Sequence, residues 1–200
     1  QLSMWTNCKV FIVSLISCIA LTVQAVEVIP HLTAKSWLAL LETSYVLFQL
    51  PSYHNNLGKR ITKSPKLFFY DVGLAAAVIG IDLDMISKKR ELYGALFENM
   101  VIVDSIKNMY AIGQRPSVTF FRDTNQNEID LIIERGTTLL PVEIKASETI
   151  KSDFFKTVDW FKREMKSDQM SIVIYGGLQV QKRSDGLAIP WNQVHTLFSD

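Results

Sequence analysis

A mixed α/β fold is what this sequence predicts. From Glu91 onward its elements read helix, strand, strand, strand, helix, strand. Apolar residues recur at helical spacing from Glu91 to Tyr110 and again from Ser152 to Lys166. Val118 to Arg122, Glu128 to Glu134 and Leu139 to Lys145 are short runs of β-forming residues separated by turns. With 48% apolar and 20% charged residues among 200, the chain can fill the core of one domain plus a small appendage, and wholesale disorder is excluded. Three strands joined by short turns and then a helical crossover give a mixed sheet with helices packed on it.

The elements follow in chain order. Val10 to Val26 carries no charge and lies between Lys9 and Glu27. A buried helix is the first reading, packed on the helix around Trp37. A secretory signal is the second, with Val23-Gln24-Ala25 as a loose cleavage site. A membrane span comes last, because Ser14, Ser17, Thr22 and Gln24 interrupt the run. Cys8 and Cys18, both near or in this run, form no disulfide framework or zinc cluster, so a reduced, cytoplasmic chain is the simpler reading. The alternative is an exported or anchored chain held through residues 10–26. Thr33 to Leu41 reads as a helix capped by Thr33, with Leu32, Trp37, Leu40 and Leu41 on one face. Tyr45 to Leu50 is a strand ending at Pro51.

Ser52 to Lys66 reads as a polar loop carrying Lys59, Arg60, Lys63 and Lys66. It is either a solvated loop or a nucleic-acid-binding patch, since four clustered cations raise local anion affinity. Leu67 to Tyr70 is a short strand; Asp71 caps a helix reaching about Ile79, and Gly80 ends it. In the long helix Leu92, Leu96, Asn99, Val103, Ile106 and Tyr110 share a face. In the crossover helix Phe154, Phe155, Val158, Phe161 and Met165 point inward. Met170 to Tyr175 is a strand stopped by Gly176-Gly177, and a strand near Leu187 and a helix near Trp191 close the chain.

Several chemistries lack a foothold. Lys plus Arg number 21 and Asp plus Glu 20, a net charge of +1, so nucleic-acid binding has to use a local patch. Neither G-x-x-x-x-G-K-S/T nor G-x-G-x-x-G occurs, which argues against a nucleotide or other small-molecule cofactor on such loops. His31, His54 and His195 lack zinc-hydrolase spacing, and no G-x-S-x-G or S-x-x-K offers a serine nucleophile.

The chemistry that is present lies in Asn127 to Ile133 and Pro141 to Lys145. Alternation places Glu128, Asp130 and Ile132 on one face of their strand, and Glu143 and Lys145 on one face of the next. Gly136, at the first central position of Arg135-Gly136-Thr137-Thr138, suits a two-residue type II′ hairpin. In that register Asp130 faces Glu143, and Glu128 faces Lys145. Opposed carboxylates repel unless a cation joins them or one is protonated. Two readings stand: a surface cluster in which Glu128 pairs with Lys145, or a divalent metal site of the kind carboxylate oxygens give Mg²⁺. Glu98, within an apolar stretch of the long helix, is a candidate third carboxylate, and Gly94 one turn earlier would let that helix approach the sheet.

Asp130, then Glu143-Ile144-Lys145, with Glu98 on the preceding helix, resembles the PD-(D/E)XK nuclease superfamily. More narrowly, an ordered set of segments is similar to the C-terminal domain, of unknown function, of a family of prokaryotic AAA-type ATPases. The set comprises Trp37 to Glu42, Lys66 to Leu74, Gly94 with Phe97-Glu98, Phe121-Arg122-Asp123, Glu128-Ile129-Asp130 and Val142 to Lys145. The resemblance spans roughly Thr33 to Gly177. It implies a restriction-endonuclease-like α-β-β-β-α-β core over residues 63–200. Residues 1–62 would then form an N-terminal apolar helix and a winged-helix-like connector. The ATPase module of such proteins is not in this sequence, and residues before Thr33 do not follow the connector's pattern, so a truncated or rearranged relative is expected. The resemblance further implies Mg²⁺ on Asp130, Glu143 and Glu98, with Lys145 completing the catalytic set. The implied partners are nucleic acid and a partner protein or ATPase module. The implied activity is a Mg²⁺-dependent nuclease, the alternative being an inactive nuclease-fold binding module.

Overall fold

The computed structural model describes residues 30–54, 64–81, 90–125 and 127–199. The run Val10 to Val26, and Lys59, Arg60 and Lys63 of the polar loop, lie outside the described residues. The chain divides into two compact units, Gln1–Phe48 with Phe69–Leu96, and Gln49–Phe68 with Phe97–Asp200.

In the first unit, helix α1 (His31–Thr43) begins two residues before the predicted Thr33 cap. Pro30 holds an extended ψ of 135°, its carbonyl accepts from the Ala34 amide, and no side chain caps the start. Of the expected apolar face, Leu32, Trp37 and Leu40 are exposed. Strands β1 (Leu47–Leu50) and β2 (Lys66–Phe69) pair in a two-stranded sheet, of which Gln49–Leu50 and Lys66–Phe68 belong to the second unit. Asp71 accepts from the Leu74 amide at 2.9 Å and opens α2 (Val72–Val78) as expected. Phe69, Ala75 and Val78 form a small core with Val46, Leu74 and Leu96 against it.

The second unit is built on a mixed six-stranded sheet of order β3-β4-β5-β6-β8-β7. Its elements are β3 (Val118–Arg122), β4 (Glu128–Arg135), β5 (Thr138–Lys145), β6 (Ile172–Tyr175), β7 (Gln181–Arg183) and β8 (Gly186–Pro190). Helix α3 (Arg90–Ala111) precedes β3. A 3₁₀ turn (Ser152–Phe155) and helix α4 (Lys156–Met165) connect β5 to β6, and a 3₁₀ segment (Trp191–Leu197) follows β8. Strands β3 to β5 are antiparallel; β5, β6 and β8 are parallel. The helical crossover is what a parallel pair needs. Among the described residues no helix is long and apolar enough to cross a membrane.

The β4–β5 hairpin takes the register read from its turn. Leu131 pairs with Val142, Ile132 with Pro141 and Arg135 with Thr138. Gly136 has φ +59° while Thr137 stays at negative φ, the type II′ pattern that matches strand twist. The β3–β4 ladder slips by one between Thr119 and Phe121. Without that bulge Arg122 would oppose Ile129; with it Arg122 opposes Glu128.

Phe155, Val158 and Phe161 are fully buried, and Phe161 meets Tyr53 and Phe121 edge-on at 6.5 and 5.2 Å. Each such side chain contributes about 1.5–3 kcal/mol by leaving water. In α3 the expected face is buried at Asn99, Val103 and Ile106, but Tyr110 in the last turn is exposed. A Cβ at Gly94 would meet nothing within 4 Å, so no close approach occurs there.

Candidate functional site

The site lies in the second unit, at the end of β4 and β5 away from their turn. Along β4 the first half alternates, with Glu128 and Asp130 half-buried and Ile129 enclosed, whereas Leu131, Ile132 and Ile133 are all fully buried. The charges therefore gather over Glu128, Asp130, Glu143 and Lys145, joined from α3 by Glu98 and from β2 by Lys66.

Asp130 Oδ2 accepts the Ile144 amide at 2.8 Å, so this carboxylate reaches across to β5 beside Glu143. Burial first, then the charges of Glu143 and Glu98, push its pKa up to about 8, against the opposing pull of Lys145 and the Ile144 amide. Asp130 keeps some solvent exposure, so it can still exchange a proton. Glu143 is 5% exposed. Its Oε1 accepts from Lys145 Nζ at 2.5 Å, while Oε2 is buried with no hydrogen-bond partner among the described residues. Burial raises the Glu143 pKa, the Lys145 ammonium opposes that, and Glu128 and Glu98 add to it. Burial alone would lower Lys145, but Glu143, with Asp130 and Glu98, holds the ammonium above its ordinary value.

The Glu128–Lys145 pairing of the surface-cluster reading does not form. Lys145 turns back along its own strand to Glu143, and Glu128 is taken by Lys66 at Oε1 and by Arg122, 2.5 Å away, at Oε2. Lys66 also donates to Glu98 Oε1 at 2.8 Å and sits 5.3 Å from the Phe120 ring centroid. Burial would lower its pKa; Glu98 and Glu128 together raise it instead. The ion pairs with Lys66 and Arg122 hold Glu128 below the usual carboxylate range despite its own burial.

The residues singled out from sequence thus divide into two groups. Asp130, Glu143 and Lys145 come together as expected. Glu98 joins them electrostatically but is engaged by Lys66, whose ammonium is turned to carboxylates rather than to an incoming phosphate. Sequence reasoning missed the linking role of Lys66 and Arg122. Arg122 depends on the bulge that β4 makes at Asp130–Leu131 opposite Phe120, and Lys66 meets a glutamate 32 residues away, so no local pattern announces either.

Among the described residues no three His, Cys, Asp or Glu side chains already converge as a complete metal cage. Mg²⁺ does not need one: it is commonly held by one or two carboxylates, with water and substrate phosphate supplying the rest. Asp130 and Glu143 give adjacent carboxylates, the first with its pKa raised by burial and then by Glu143, the second with a buried oxygen lacking a partner among the described residues. That combination fits a cation.

Comparison with known proteins gives two family matches. The model described as a domain of unknown function (DUF4143) matches residues 93–194, half of the chain. A second, described as a domain of unknown function (DUF8612), matches residues 16–84. An uncharacterized protein of Mycobacterium tuberculosis and one of Mycobacterium bovis are each 25% identical over 164 residues, covering 82% of this chain and 36% of the relative. The chain thus spans about a third of the length of the curated relatives it matches. No solved structure matches it.

Proposed function

Since the chain belongs to the DUF4143 family, whose description assigns no activity, its function has to come from the site, and we propose a Mg²⁺-dependent nuclease-like domain acting on nucleic acid. The observation that carries this reading is the buried, unpartnered Oε2 of Glu143 beside Asp130. The order α3-β3-β4-β5-α4-β6 supports a PD-(D/E)XK, restriction-endonuclease-like core within residues 63–200. Residues 1–62 would form the N-terminal part and a winged-helix-like connector, and an ATPase module would be the natural partner.

Asp130 and Glu143 would hold the metal ion, and a bound Mg²⁺ supplies polarisation of a phosphodiester and a more acidic water. Lys145 fixes the Glu143 carboxylate by its hydrogen bond. Its ammonium, 6.0 Å from the Phe154 ring centroid and partly exposed, is placed to meet negative charge developing on a phosphate. Glu98 positions the site through Lys66. Burial of Glu143 limits water around the pair and strengthens each electrostatic contact.

One observation favours a second reading, an inactive nuclease-fold module that binds nucleic acid or a partner protein: Lys145 is already committed to Glu143. End-labelled single- and double-stranded DNA and RNA incubated with the protein and Mg²⁺ or Mn²⁺ separate the two. Metal-dependent cleavage lost in Lys145→Ala supports the nuclease. Retained binding without cleavage supports the binding module.

A further inference from the structure

Two carboxylates of the cluster, Glu98 and Glu128, do not face the Asp130–Glu143 pair as free ligands; both face a single ammonium. Lys66 Nζ lies 2.8 Å from Glu98 Oε1 and within hydrogen-bond contact of Glu128 Oε1. Arg122 occupies the other oxygen of Glu128 at 2.5 Å. The Phe120 ring lies beside the ammonium and limits where it can move. Two carboxylate oxygens converging on one point are also what a hard divalent ion would take there. Lys66, Glu98 and Glu128 keep 20%, 24% and 24% of their side-chain surface, so an ion from solvent could reach that point if the ammonium were gone.

Formal charge argues the same way. Glu98, Glu128, Asp130 and Glu143 face Lys66, Lys145 and Arg122, which leaves one negative charge in excess. One divalent ion overcompensates it slightly; two would leave a large positive excess in a half-buried site, which is costly.

We infer that Lys66 is the resident cation of the Glu98–Glu128 half of the cluster, and that it confines divalent metal to the Asp130–Glu143 half, one ion per chain. The inference rests on the metal-site reading above and adds a positioning role for a residue outside the ligand pair. Lys66 stands where a second ion would otherwise sit, and it ties α3, β2 and β4 together.

The test is metal stoichiometry on the full chain, read by Mn²⁺ electron paramagnetic resonance and by calorimetry, without reference to cleavage. Wild type is expected to bind one Mn²⁺ per chain, Lys66→Ala two, and Lys66→Arg, which keeps the charge, one. Mn²⁺ should also raise the melting temperature of Lys66→Ala more than that of wild type, because the second ion replaces a lost cross-link. Should Lys66→Ala fail to fold, Lys66→Gln keeps most of the side chain without its charge and is expected to bind two. Two ions in wild type, or one ion in wild type and still one in the uncharged variants, would overturn the role of Lys66 and leave the Asp130–Glu143 site standing. No ion in any of the proteins would overturn both.

Discussion

The two halves of β4 are made for different work. From Leu131 to Arg135 the strand pairs residue by residue with β5, its side chains Leu131, Ile132 and Ile133 are fully buried, and a type II′ turn closes the ladder. From Glu128 to Asp130 the same strand carries two acids, and Asp130 takes the Ile144 amide with its side chain. One half follows every rule for a stable hairpin. The other gathers like charges at short range, which stable folds avoid. The contrast teaches that the apolar half supplies the stability with which the charged half can be held under repulsion, and each half should respond to mutation in its own way.

The largest effect is expected in the core that supports both halves, where α4 packs with Ile129 and Ile132. Phe161→Ala removes a fully buried ring from between Tyr53 and Phe121 and should cost about 3–5 kcal/mol, read by urea denaturation. A loss under 1 kcal/mol would mean that this core is not the anchor. At the turn, Gly136→Ala places a Cβ at φ +59° and should cost about 1–2 kcal/mol without altering metal binding, since the turn lies at the far end of the hairpin from Asp130.

The charged half should respond with the opposite sign. Asp130→Asn keeps an acceptor for the Ile144 amide and removes the like charge, so the metal-free protein should gain on the order of 1 kcal/mol near pH 8. That gain depends on pH. Folding raises the Asp130 pKa from 3.8 to about 8, so the native state holds more protons than the unfolded chain between those values. The stabilising contribution of the protonated carboxyl is complete below pH 4 and is lost as pH rises through about 8. Glu143, also raised, acts in the same direction. Melting temperatures of wild type and Asp130→Asn should therefore approach each other near pH 4 and separate towards pH 8. A separation that grows on acidification would contradict the repulsion. The smallest effect belongs to Lys156→Ala, whose ion pair with Asp153 lies in solvent and should leave the melting temperature unchanged.

What was legible in the sequence was what local chemistry decides. Gly136 at a hairpin position set the β4–β5 register, and alternation gathered Glu128, Asp130, Glu143 and Lys145 but failed at Ile132, which shares a core with Ile129 because β4 bulges between them. Asp71 capped α2, and the aromatic stripe of α4 went inward. Elements settled by distant partners were not legible. Strand β7 (Gln-Lys-Arg) has no apolar alternation and exists because it pairs with β8. The start of α1 followed the geometry of Pro30 rather than the cap offered by Thr33. Lys66 looked like one cation among four in a polar loop, whereas it opens β2 and meets Glu98 and Glu128.

The most direct test of the account is a calorimetric Mg²⁺ titration of wild type and Asp130→Asn at pH 8, paired with melting curves at matched ionic strength. The account predicts that Mg²⁺ binds wild type, releases protons from the carboxylate pair and raises the melting temperature. It predicts that Asp130→Asn, although more stable without metal, shows neither binding nor shift. If Asp130→Asn is less stable than wild type in the absence of metal, and Mg²⁺ moves neither protein beyond the salt control, Asp130 is a structural hydrogen-bond acceptor and the metal site does not exist.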